Sequence, residues 1–269
     1  MTLVKTKNLA IHVAVAGDPK APALILAHPL GANLHVWDGL APALATKFRV
    51  IRFDARGHGQ SDVPDGPYAL ADLGGDVLAL MDELDVARAH FLGQSMGGAI
   101  AQWLMIFAPE RLRKVVLANT AMHFPDAASW NARIRSAREN GMAELAPAVT
   151  QKWLTADFRA ARPDIARKIE DMLRASDPKG YAACCSALRD ADLRDAIHGA
   201  PPCPALVIVG DSDPSTPPRL GEDLAARLKD ASLVRLHAAH LSGVEAEKAF
   251  LEAVETFLDE PEQGGADAN

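Results

Sequence analysis

GQSMGG, at residues 93–98, sets a serine between glycines at the junction of two apolar runs. The apolar run AHFLG at 89–93 leads into it, and AIAQWLMIFAP at 99–109 leads out. The first has the length of a buried strand and the second that of a buried helix. G-x-S-x-G at such a junction has a steric reason. The turn is so tight that flanking side chains would clash, and the serine is held at strained backbone angles. Ser95 is thereby pushed clear of the sheet at a helix N-terminus, where the dipole and free amides favour developing negative charge. The competing reading makes Ser95 a plain helix cap.

On either side, β-rich runs recur at 8–17 (NLAIHVAVAG), 22–28 (PALILAH), 48–54 (FRVIRFD), 115–119 (VVLAN), 204–210 (PALVIVG) and 231–237 (ASLVRLH). Several are continuous rather than alternating, as strands covered on both faces should be. Between them lie helical patterns at 35–45, 69–85 and 245–260. Strands alternating with helices predict an α/β fold with a mostly parallel central sheet flanked by helices. The rhythm stops over 123–198, which carries only helix-like segments such as 128–154 and 163–176. The expected division is a core over 1–122, a helical cap over 123–198, the second part of the core over 199–260 and a disordered tail over 261–269.

A chain of 269 residues suits one large domain or one domain with an insertion. With 35 acidic against 28 basic side chains, the formal charge of -7 argues against a nucleic-acid partner. No apolar run approaches the roughly 20 residues that cross a bilayer. The first residues lack an apolar stretch followed by a cleavage site. Cys184, Cys185 and Cys203 form neither a disulfide framework nor a metal-type spacing. A reducing cytoplasm is the expected location.

A serine nucleophile needs a base and an acid, and at an elbow of this kind they follow it in the order acid, histidine. His240, in the loop LHAAHLSG at 236–243, is the expected base; His237 ends a strand and reads as structural. Asp211 and Asp213 follow the strand in VIVGDSDPSTPP at 207–218. Asp213 lies deeper in the loop and is the expected acid, with Asp211 bracing the turn through an Asx-type bond. The other location for an acid, after VVLAN, holds Asn119, which carries no charge. The expected oxyanion donors are the amides of Met96 and of Leu30 in AHPLGANLHVW at 27–37. Asp54, Arg56 and His58 in DARGHGQSD at 54–62 read as a brace below the site.

HPLG, DARGHGQSD, GQSMGG, GDSDPSTPP and AAHLS, in this order, resemble the α/β-hydrolase fold over nearly the whole chain outside the insertion. Pro29 departs from the pattern, since many members carry glycine after the histidine. ERLRKVVLANTA at 110–121, GYAACCSALRDADLR at 180–194, AAHLSGVE at 238–245 and ASWNARI at 128–134 further resemble the 3-oxoadipate enol-lactonase family. That resemblance implies hydrolysis of the five-membered enol-lactone of a small dicarboxylic acid to 3-oxoadipate, without a metal or organic cofactor. The same triad also serves broader carboxylesterases, other lactonases and perhydrolases. A non-catalytic ligand-binding relative would usually have lost a triad member.

The expected partner is a small anionic lactone or ester, with no nucleic acid and no membrane. The insertion offers Arg133 to pair with its free carboxylate and Trp130, three residues earlier on the same helical face, to cover the ring. The alternative has Trp130 packing the cap and Arg133, Arg135 and Arg138 facing solvent. Cys184 and Cys185 read as buried small side chains.

Overall fold

The central apolar runs become strands because both their faces find cover, whereas the edge strand at 231–236 is largely exposed. The computed structural model describes residues 1–260. Its strands are β1 (Thr2–Lys5), β2 (Ala10–Ala16), β3 (Ala23–Ala27), β4 (Arg49–Phe53), β5 (Ala89–Gln94), β6 (Leu112–Ala118), β7 (Ala205–Gly210) and β8 (Ala231–Leu236). They form one sheet in the order β1-β2-β4-β3-β5-β6-β7-β8. The pairs β1/β2 and β2/β4 are antiparallel, and every other pair is parallel. The pleat splits each central strand between two cores. Ile25, Phe91, Val115 and Val207 enter one cluster; Leu24, Leu92, Val116 and Leu206 enter the other.

The helices are α1 (Ala41–Leu44), α2 (Leu70–Glu83), α3 (Met96–Phe107), α4 (Ala127–Asn140), α5 (Met142–Trp153), α6 (Ala156–Ala161), α7 (Pro163–Arg174), α8 (Pro178–Asp190), α9 (Arg194–Gly199), α10 (Pro218–Arg227), α11 (Ser242–Glu245) and α12 (Glu247–Asp259). The helix expected over 35–45 is instead a 3-10 turn, Leu34–Trp37, followed by the short α1. Gly39 and Pro42 interrupt the stretch, and Pro42 lies in the first turn of α1, where its missing N–H is tolerated. α2 and α3 cover one face of the sheet, while α1 and α12 cover the other.

The interruption of the strand rhythm is built from α4 to α8. The chain leaves and returns side by side: His123 pairs with Asp192 in an antiparallel bridge, and the Leu193 amide donates to the Met122 carbonyl at 2.9 Å. α9, which the sequence reading puts inside the insertion, packs against α3. The tail expected over 261–269 lies outside the described residues. No described helix is long and apolar enough to cross a membrane.

Candidate active site

Ser95 occupies the single residue between β5 and α3, at φ 56° and ψ −112°. A non-glycine residue at positive φ is uncommon and is held only by surroundings that enforce it. Here the glycines enforce it. A Cβ on Gly93 would stand 2.2 Å from the Gly97 carbonyl oxygen, and one on Gly97 would stand 2.1 Å from that of Ala27. The Ser95 side chain makes no capping bond to α3, which removes the helix-cap reading. It faces a cavity of about 350 Å³ lined also by Leu30, Trp130, Arg133, Lys152, Trp153 and His240.

Asp213 follows β7 and His240 follows β8, on neighbouring parallel strands. The His240 Nδ1 lies 2.8 Å from the Asp213 Oδ2, and both side chains are buried. With Nδ1 directed at the carboxylate, Nε2 is the nitrogen left for the cavity. Among the described residues no hydrogen bond joins it to Ser95, although the two side chains share one chamber; such contacts often tighten only with substrate bound. The ring of Trp153 sits 6.1 Å from that of His240.

Asp213 collects four further donors: the amides of Ser215 (2.8 Å) and Thr216 (3.0 Å), the Thr216 hydroxyl (2.7 Å) and the Asn119 Nδ2 (3.0 Å). Burial pushes its carboxyl up, but the neighbouring His240 and the Thr216 donors outweigh this and hold it below the ordinary carboxylate range. The Asx-type turn expected of Asp211 is therefore made by Asp213. Asp211 is exposed and turns to Arg235 at 3.4 Å. The amide two residues beyond Asp211, that of Asp213, is given to the Gly210 carbonyl at 3.1 Å, and the residue after it, Pro214, has none. His237 is exposed and lies outside the cavity lining.

Leu30 lines the cavity and Met96 opens α3. Among the described residues neither amide has an acceptor within the chain. The Leu30 loop is fixed by two buried imidazoles: His58, expected in the brace, and His28, to which the sequence assigns no task. Gly31, at φ 85°, donates its amide to His58 Nε2 at 2.8 Å, and the Ala55 amide donates to His28 Nε2 at 3.0 Å. Each ring donates from Nδ1 to a carbonyl, His28 to Pro29 at 2.7 Å and His58 to Arg56 at 3.2 Å. This pattern needs neutral rings. Burial, with His28 close by, pushes His58 down to about 3, and burial also lowers His28. The brace read in 54–62 is present. Asp54 takes the Leu34 and Gln60 amides at 2.8 and 2.9 Å, and Arg56 pairs with Asp76 through two bonds of 2.5 and 2.6 Å.

Trp130 and Arg133 share the cavity face of α4, with the guanidinium 4.8 Å above the indole. Arg133 donates from Nε (3.1 Å) and from Nη2 to the buried hydroxyl of Tyr181 on α8. Among the described residues no carboxylate lies within ion-pair reach of it. Trp130 also packs edge-on against Phe124, so the packing reading holds alongside the cavity one. Arg135 and Arg138 are exposed. Tyr181, Lys152 and the donors around Asp213 were not picked out from sequence. Only Thr216, three residues beyond Asp213, carried a local signal.

A model of the alpha/beta hydrolase fold matches residues 22–247. The 3-oxoadipate enol-lactonase 2 of Acinetobacter baylyi is 39% identical over 94% of this chain and 94% of its own. The 3-oxoadipate enol-lactonase 1 of that organism is 34% identical over 95% and 96%. The crystal structure of the enol-lactonase from Burkholderia xenovorans LB400 superposes with a TM-score of 0.94 at 39% identity, covering 96% of this chain and all of that one. Sheet order, strand-to-helix elbow and family match agree over almost the full length, and the chain belongs to the alpha/beta hydrolase fold family and is a hydrolase.

Proposed function

We propose that this chain is a serine hydrolase of the 3-oxoadipate enol-lactonase type, opening the enol-lactone of a small dicarboxylic acid to 3-oxoadipate. The observation that carries the substrate class is Arg133, a cation with no carboxylate partner among the described residues, in the wall of the chamber that holds Ser95 and His240. An apolar pocket binds a carboxylate poorly unless a cation meets it. The likeness to enol-lactonases at 34% and 39% identity supports the same reading.

In this mechanism His240 Nε2 takes the Ser95 proton as Oγ adds to the lactone carbonyl carbon. Asp213 holds the ring in the Nδ1–H tautomer and stabilises the imidazolium. The amides of Leu30 and Met96 receive the oxyanion. Collapse breaks the ring C–O bond, the leaving enol oxygen takes the proton from His240, and the enol tautomerises to the ketone. Water, deprotonated by His240, then splits the acyl ester, leaving a second carboxylate and free Ser95. The steps need no cofactor. A small anionic substrate fits the chamber better than a nucleic acid or membrane, and three buried cysteines outside any disulfide suit a reducing cytoplasm.

The test is hydrolysis of 3-oxoadipate enol-lactone beside p-nitrophenyl acetate, with Ser95→Ala as control. A strong preference for the lactone acid is expected. Equal use of both esters would favour a broad carboxylesterase.

A further inference from the structure

We propose that Asn119 is a positioning residue for the Asp213–His240 pair, acting as the centre of a buried Gln94–Asn119–Ser242 cluster; this rests on the triad reading above. Asn119 directly follows β6, at φ 44°, and is 1% exposed. Asparagine is among the few residues that adopt this left-handed conformation readily. Its own amide donates to the Ile208 carbonyl on β7 at 2.8 Å, anchoring the main chain beside the acid's strand. The left-handed turn aims the side chain across to the loops that follow β7 and β8.

There the carboxamide is fully specified. Nδ2 donates to Asp213 Oδ2 at 3.0 Å and to the Ala239 carbonyl at 3.3 Å. Oδ1 accepts from the Ser242 hydroxyl and, at 3.5 Å, from Gln94 Nε2. Exchanging the oxygen and nitrogen would set acceptor against acceptor at Asp213 and at Ala239, so the network assigns the orientation. Gln94 Nε2 also donates to the His240 carbonyl at 2.7 Å. The cluster thus holds the acid by its side chain and the base by its main chain, from the residues beside the elbow and after the neighbouring strand.

Asp213 Oδ2 receives His240 Nδ1, Thr216 Oγ1 and Asn119 Nδ2 together. Three donors fit one carboxylate oxygen only when they are spread around it, so Asn119 sets where that oxygen stands against the imidazole. Packing alone does not require this arrangement. An apolar side chain at the end of a buried strand would avoid burying polar atoms.

The test compares Asn119→Ala, Asn119→Asp and Ser242→Ala with wild type in kcat, KM, melting temperature and the rate at which a serine-reactive phosphonate labels Ser95. Asn119→Asp keeps the shape but replaces the donor by an acceptor beside a carboxylate. Both Asn119 variants should lower kcat and slow labelling by about tenfold or more, with KM within about twofold. Ser242→Ala, which frees the amide to rotate, should move both in the same direction by about threefold. Unchanged kcat and labelling in folded Asn119 variants, with only a lower melting temperature, would overturn the proposal. Should both Asn119 variants fail to fold, Ser242→Ala decides by the same two rates. Ser95→Ala and Asp213→Asn are run beside them. Retained turnover in those two would overturn the triad reading itself, whereas their inactivity with unaffected Asn119 variants would sink the Asn119 proposal alone.

Discussion

Two aspartates two positions apart have opposite surroundings, and that difference is measurable. Asp213 faces a histidine and a ring of donors; Asp211 faces solvent and an exposed arginine. Asp213→Asn should cut kcat by several orders of magnitude, because the amide leaves the imidazole in the wrong tautomer. Asp211→Asn should leave kcat within about twofold, since exposed ion pairs contribute little. Steady-state kinetics on both variants checks the assignment, and reversed losses would mean that the acid is Asp211. The Arg133 reading is tested at the same scale. The substrate carboxylate does not itself react, so losing its partner removes ground-state and transition-state binding alike. Arg133→Ala should raise KM for the lactone acid about tenfold or more, the equivalent of a charge-assisted pair worth roughly 1.5 to 3 kcal/mol. Tyr181→Phe keeps the ring and removes the hydroxyl that holds the guanidinium, so it should act in the same direction but less. Neither should alter hydrolysis of uncharged p-nitrophenyl acetate, and an unchanged ratio of kcat/KM for the two substrates would place Arg133 outside recognition.

At the scale of elements, the elbow joins β3, β5 and α3 at distances that leave no room for a methyl group. Gly97→Ala would drive a Cβ to 2.1 Å from the Ala27 carbonyl, a backbone atom that cannot rotate away. We expect a loss of several kcal/mol of stability, in the range of severe overpacking, together with lost phosphonate labelling. Chemical denaturation beside wild type measures it. Such contacts explain what the chain discloses in its order of residues. The elbow, the parallel strands and the helical insertion impose local patterns: glycines beside a serine, continuous apolar runs, helical spacing. The supports of the acid impose none. Asn119, Gln94 and Ser242 meet only because neighbouring strands end together, and Asn119 drew attention merely as a residue unable to carry charge. The Asx turn sits on Asp213 rather than Asp211 because the Asp213 amide goes to the Gly210 carbonyl and Pro214 has no amide, and only the second of these is legible in the sequence. The helix expected over 35–45 read the apolar spacing and gave too little weight to Gly39 and Pro42.

Across the whole molecule, the neutral imidazoles beneath the site tie stability to pH. Unfolded, His58 takes a proton near 6.5; folded, it does so only near 3. Between these values the unfolded chain holds the extra proton, so folding stability falls as pH drops, by up to about 1.4 kcal/mol per pH unit for each such histidine. His28 shifts in the same direction and adds to the slope. Asp213 contributes in a separate window: its folded carboxyl is lowered, so its stabilisation is present above the ordinary carboxylate value and is lost as pH falls through the folded one. Losses between pH 6.5 and 5 therefore belong to the histidines. Urea midpoints at pH 7, 6 and 5 should decline in wild type. His58→Gln, which retains an acceptor for the Gly31 amide but does not titrate, should flatten the decline by one proton; an equal slope in both would remove His58 as its source.

The paired crossing at His123 and Asp192 carries a consequence for how such enzymes diversify. Lengthening a segment whose two ends are joined in this way costs the sheet little, about 0.6 kcal/mol of closure entropy for each doubling of its length. Natural variation can therefore rewrite much of what lies between those two points while Ser95, Asp213 and His240 stay in place. Ties to the core limit that freedom: the Leu241 amide bonded to the Trp153 carbonyl at 2.9 Å, Glu245 holding both the Thr155 amide at 3.2 Å and the Ala239 amide at 3.0 Å, the Ser176 hydroxyl on the Gly31 carbonyl at 2.6 Å, and the Tyr68 amide on the Ala183 carbonyl at 3.3 Å. A transplanted segment that respects these ties should bring its donor's substrate preference with it and leave phosphonate labelling of Ser95 unchanged. In that sense the neck is a grafting point, where one lineage of chemistry can acquire a succession of substrates.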